Sequence, residues 1–159
     1  MHRLPPAMRE RITAARTRHL ETTSSRINAL EDSDYLSAVI EEEENAMLDE
    51  LEVLVKEAEN HAPELMVACA MHKRLCPSHG EMDGSAASAS QLVINAGGNP
   101  CQDWSVANTQ RMGLFGEGLL PFLAWVWDIR QYQPRVIVQE CTAFFKVSLL
   151  QRFLGDLYY

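Results

Sequence analysis

The chain has 159 residues, of which 47% are hydrophobic, and a formal net charge of −8. That is the length of about one globular domain, with enough apolar residues for a core and too few for a large multidomain enzyme. Membrane spanning is excluded on composition, because "LLPFLAWVW" at 119–127 is nine residues long and a bilayer needs ~20.

The four cysteines, Cys69, Cys76, Cys101 and Cys141, are scattered and follow no cleavable apolar leader. A secreted disulfide framework is therefore not expected, and an intracellular, reducing compartment is. The charge is unevenly distributed. Residues 1–30 carry six Arg against two Glu, a balance of +4, whereas residues 31–60 carry twelve acids against Lys56, a balance of −11. Nucleic acid is bound chiefly by neutralising phosphates with Lys and Arg, so the acidic segment argues against nucleic acid lying along that part of the surface.

In chain order, Pro5 and Pro6 suit a helix start, and "AMRERITAARTRHLETTSSRINALE" reads as a basic, modestly amphipathic helix. After Asp34 as N-cap, Leu36, Val39, Ile40, Met47, Leu51, Leu54, Val55 and Ala58 recur at three- and four-residue steps, which predicts a long amphipathic helix with an acidic outer face. The two should form an antiparallel hairpin whose basic and acidic surfaces attract. "PELMVACAMHKRLC", 63–76, reads as a short third helix ended by Pro77, and "SHGEMDGSAASAS", 78–90, reads as a linker.

Beyond the linker the pattern alternates. "QLVINA", 91–96, is a short apolar run ended by Gly97 and Gly98 and reads as a buried parallel strand; "EGLLPFLAWVWDIRQYQ", 117–133, has a helical stripe, with Pro121 tolerable only near its first turn; "RVIVQ", 135–139, reads as a second buried strand; "AFFKVSLLQRFLGD", 143–156, is helical; and "LYY" could open another strand. Strand, helix, strand, helix is the pattern of a parallel sheet. The predicted architecture is thus α/β, a partial doubly wound, Rossmann-like sheet over 91–159, preceded by a helical region at 1–77 and a linker at 78–90. Trp125, Trp127 and Phe122 are expected in its core.

Ligands and catalytic groups in such sheets gather beyond the carboxyl ends of the strands. Cys101 follows one strand end and Glu140 the other, so pairing of the two strands would put a thiol and a carboxyl at one crevice. "PCQDWS" resembles the Pro-Cys-Gln motif of the DNA cytosine-5 methyltransferases, and "PRVIVQEC" resembles the strand leading into their Glu-Asn-Val motif. The separation of the two motifs is close to the usual one, and the resemblance covers about residues 91–159.

The resemblance implies a DNA cytosine-5 methyltransferase-like protein or fragment, with S-adenosylmethionine as donor and DNA as substrate, RNA being compatible with the family as well. It implies a nuclear location in a eukaryote and a cytoplasmic one otherwise. In the position of Cys101 a thiolate would add to carbon 6 of cytosine and make carbon 5 nucleophilic. A neutral carboxyl in the position of Glu140 would assist at ring nitrogen 3, which requires a desolvated site. The target base must be flipped out of the stack. Gly97 and Gly98 would admit the backbone close to it, Pro100 and Gln102 complete the motif, and Ser105 would reach a flanking phosphate.

The sequence departs from the family pattern at Cys141 and Thr142, where asparagine and valine are usual, and no glycine-rich turn after a strand precedes Cys101. "GLFGEG", 113–118, reads as loop. The expectation is a catalytic middle without a donor pocket, inactive as the isolated chain. The alternative is a non-catalytic interaction protein, with the hairpin as partner surface and the methyltransferase-like part as scaffold. Cys69, His72, Cys76 and His79 do not have a common zinc spacing and are expected to hold no metal.

Overall fold

The structure, a computed structural model, describes residues 4–30, 33–59, 66–68, 75–77, 94–98, 102–110 and 112–158. Helix α1 (Pro6–Asn28) begins with proline in its first turn, where no intrahelical N–H is lost. Its apolar side chains recur so that Met8, Ile12 and Ala15 are buried, continuing the line of Leu4. Asp34 lies in a short 3-10 turn, Ser33–Tyr35, that leads into α2 (Leu36–Glu59). Of the α2 stripe, Val39, Met47, Leu51, Leu54 and Val55 are buried.

The helices pair, and their opposite charges meet as expected. Arg11 bonds Glu57 at 2.8 Å, Arg18 bonds Glu50 at 2.6 Å, and Arg26 bonds both Glu42 at 2.6 Å and Glu43 at 2.7 Å. His19 sits between Glu43 and Glu50 at 3.2 and 3.3 Å. Glu43, which interrupts the apolar stripe in sequence, is buried because Arg26 and His19 satisfy it. Its carboxyl is held below the ordinary range, first by the Arg26 hydrogen bond and then by His19.

The described residues within the expected third helix are strands. Met66–Ala68 is strand β1 and Leu75–Pro77 is strand β2, paired antiparallel with Val67 opposite Cys76. Short apolar runs read alike as buried helix or strand, and here two such runs flank a polar stretch and pair with each other. The predicted linker 78–90 and the side chains of Cys69, His72, Cys76 and His79 lie outside the described residues.

Strand β3 (Ile94–Gly98), helix α3 (Leu119–Tyr132) and strand β4 (Val136–Glu140) follow, the strands pairing parallel from Ile94 opposite Val136 to Gly98 opposite Glu140. The glycines predicted to end β3 lie within it. One sheet face packs toward α3: Asn95 Oδ1 accepts the Trp125 indole N–H at 3.0 Å, and Ile137 touches the core. The other face is open, so the expectation of fully buried strands is corrected: Ile94 is 56% and Val138 51% exposed. One helix layer can cover only one side of a sheet.

Helix α4 is shorter than predicted, Ser148–Leu154, because a turn closed by Phe145 N–H on the Thr142 carbonyl occupies the preceding residues. Leu157 and Tyr158 form no strand; the Tyr158 hydroxyl donates to the Pro134 carbonyl at 2.7 Å. Helix α3 is the centre of the molecule. Phe122, Leu123, Val126, Trp127 and Ile129 are buried in one core with Ile12, Met47 and Leu51 of the hairpin and Leu149 and Phe153 of α4. Across that core, Lys146 and Arg152 reach Glu44, Asp49 and Glu52 of α2. The fold among the described residues is therefore mixed α/β, with four α-helices and a two-stranded parallel sheet.

Candidate functional site

The parallel register places Gly98 beside Glu140. Space between the strands is limited there. A Cβ on residue 98 would stand 3.4 Å from Glu140 Oε2, whereas one on Gly97 would fall 2.4 Å from the Trp125 indole nitrogen. Gly97 is thus required for packing against α3, and Gly98 keeps the surface beside the glutamate low. Glu140 is the last residue of β4, one position earlier than the sequence implies, and its side chain is exposed. The desolvated surroundings expected of an acid catalyst are not present around it in this state.

Pro100 and Cys101 lie outside the described residues. Immediately after them, Gln102–Trp104 makes a 3-10 turn that starts a self-braced loop. The Gln102 carbonyl accepts from the Ser105 N–H at 3.2 Å and from the Asn108 side-chain amide at 3.1 Å. Ser105 Oγ accepts the Ala107 N–H at 3.2 Å, an ordinary turn-stabilising role.

Asp103 holds the loop to α3. It is buried, and its Oδ2 accepts the Gly118 N–H at 2.7 Å, at the start of that helix. A Cβ on Gly116 would overlap this carboxylate at 2.1–2.4 Å. Trp104 is buried edge-on to Phe145, with ring centroids 5.2 Å apart. The hairpin braces the same loop from outside, Arg16 Nη1 donating to the Gly116 carbonyl at 3.1 Å. A cavity of about 710 Å³ lies between α1 and the loop, lined among others by Arg16, Gln102, Asp103, Ser105, Asn108 and Glu117.

Sequence reasoning missed the roles of Asp103 and Arg16, since each depends on a partner 15 and 100 residues away. It also missed the state of Cys141, the residue after Glu140, which is disulfide-bonded. Thr142 Oγ1 next to it is buried, with no hydrogen-bond partner among the described residues. On α3, Asp128 is pushed up to about 7 by burial.

The glycine-containing stretch 113–118 does not fit a donor-binding turn. Gly113–Phe115 is a 3-10 turn that follows no described strand, Gly116 is pressed against Asp103, and the Gly118 N–H is already bonded to it. No group of three or more potential metal ligands is found among the described residues, and no helix among them is long and apolar enough to cross a membrane. Comparison with protein-family models, with curated proteins and with solved structures finds no match to this chain.

Proposed function

We propose that β3, α3 and β4 belong to a doubly wound sheet and carry the nucleophile and acid half of a cytosine-5 methyltransferase-like site. Cys101 is the nucleophile and Glu140 the acid. The observation that supports this best is the in-register pairing of Gly98 with Glu140. It joins the two stretches that carry the sequence resemblance at one end of one sheet, the end where α/β ligands bind.

The chemistry assigned to this chain's own residues needs no donor. The Cys101 thiolate adds to carbon 6 of cytosine while Glu140 hydrogen-bonds ring nitrogen 3, and the electron pair moves to carbon 5. Carbon 5 then takes a solvent proton, loses its original one, and expels the thiolate. The donor S-adenosylmethionine would be held by residues other than those described, and no methyl-transfer step is assigned to the chain alone. DNA is the proposed substrate, its cytosine flipped out before addition. The hairpin serves the site by bracing the loop through Arg16.

Hydrogen exchange at carbon 5 tests this directly. A single-stranded cytosine oligonucleotide labelled at that carbon with tritium should release label to water with the reduced protein and not with Cys101→Ala. Release that survives in Cys101→Ala, or none from folded, reduced wild type, would refute the assignment.

A further inference from the structure

We infer that the cavity between α1 and the loop that precedes α3 is a binding site for a zwitterionic amino acid with an apolar side chain, its carboxylate on Arg16 and its ammonium on Glu117. The cavity measures about 710 Å³, within the ~300–1,000 Å³ of small-molecule sites. One wall is the face of α1 that carries Arg16 and Leu20, four residues apart and so on one side of the helix. The other is the loop, through Met112, Phe115, Gly116 and Glu117.

The charges on these walls select the ligand. Arg11, Arg18 and Arg26 of α1 each hold a glutamate of α2, whereas Arg16 has no carboxylate partner among the described residues. Its Nη1 donates to the Gly116 carbonyl at 3.1 Å, and its Nε is buried with no hydrogen-bond partner among the described residues. A guanidinium held in this way is satisfied by a carboxylate, which can accept from two of its nitrogens. Glu117 directly follows Gly116, so its backbone lies beside the same guanidinium, yet no ion pair among the described residues joins the two. Asp103, the other acid of the cavity, is buried and already accepts the Gly118 N–H. Glu117 is exposed and is the acid open to a ligand's cation.

A simple anion would gain Arg16 but meet Glu117 and Asp103, and a simple cation would gain Glu117 but meet Arg16. An α-amino acid carries both charges on one carbon at neutral pH and satisfies both residues. Its side chain then meets the apolar part of the walls. Phe115 is buried, Leu20 packs partly buried against the core, and Met112 is 38% exposed. Covering Met112 removes apolar surface from water, a gain that neither charge supplies. The bound ligand touches α1 and the loop together, and so fastens the hairpin to the segment that follows β3.

This site does not rest on the methyltransferase-like reading, and its test reads binding alone. The full chain is titrated by calorimetry with L-phenylalanine, with phenethylamine, which lacks the carboxylate, and with phenylpropionate, which lacks the ammonium. L-phenylalanine should bind saturably, and each analogue should bind about tenfold or more weakly, as loss of one charge-assisted hydrogen bond requires. Glu117 is exposed and lies outside the core, so Glu117→Gln should fold as wild type does. That variant should weaken L-phenylalanine by about tenfold and should not weaken phenylpropionate. Absence of saturation at about 10 mM L-phenylalanine overturns the inference. So does either analogue binding as tightly as L-phenylalanine, or unchanged L-phenylalanine binding in Glu117→Gln.

Discussion

Gly98 and Glu140 are neighbours across a parallel pair of strands, and the glutamate Oε2 lies 3.4 Å from where a side chain on residue 98 would begin. Glu140 is otherwise exposed and does not support the core. Glu140→Gln should therefore change unfolding free energy by no more than about 0.5 kcal/mol in urea titration. Carbon-5 exchange should fall by about 10²- to 10⁴-fold if the carboxyl supplies acid assistance.

The adjacent glycine behaves differently. Gly97→Ala puts a methyl group 2.4 Å from the Trp125 indole nitrogen, which also donates to Asn95. Overpacking of this kind costs about 1–3 kcal/mol. Gly98→Ala meets only ordinary contact. Denaturant midpoints of the two variants, at equal slope, should rank Gly97→Ala well below Gly98→Ala.

Asp103 is the anchor between the loop and α3. Replacing it with alanine leaves the buried Gly118 N–H without its acceptor, at a cost of about 1–3 kcal/mol. Beyond the lower midpoint, amide exchange at Gly118 and Leu119 should accelerate more than amide exchange in α1. Uniform acceleration would show that the carboxylate does not act locally.

The pH dependence has two arms of opposite sign. Asp128 has its folded pKa raised by burial to about 7. The folded state holds that proton more tightly than the unfolded chain does, so this contribution is full at pH below ~4 and is lost as pH rises through about 7. Asp128→Asn should match wild type in thermal midpoint near pH 4 and exceed it at pH 8. Glu43 and Asp156 are shifted down, chiefly by hydrogen bonds from Arg26 and Arg130. Their stabilisation is present above the usual carboxylate range and is lost as pH falls below it. Glu43→Gln should flatten the acid limb of the stability curve.

Much of the scaffold is visible in residue spacing. Helices α1, α2 and α3 follow their three- and four-residue apolar steps, and Pro121 falls in the first turn of α3 as the sequence requires. The β3–β4 pair follows two short apolar runs, although one open face replaces the burial expected of them. The β1–β2 hairpin was not legible, because runs as short as Met66–Ala68 contain less than one helical turn of information. Gln102 and Ser105 were singled out for chemistry, and the structure adds their turn-building bonds. Asp103 beside them carries the larger mechanical role, visible only once Gly118 is brought against it.

The ion pairs from α2 to Lys146 and Arg152 join residues 100–103 positions apart, whereas those between α1 and α2 span 16–46. During synthesis the hairpin can close early, yet the second flank of α2 must wait for the far end of the chain. At translation rates of about 5–20 residues per second, that delay is roughly 5–20 s. Throughout it, the apolar side of α2 that later meets α3 and α4 is a nascent-chain surface in need of chaperone cover.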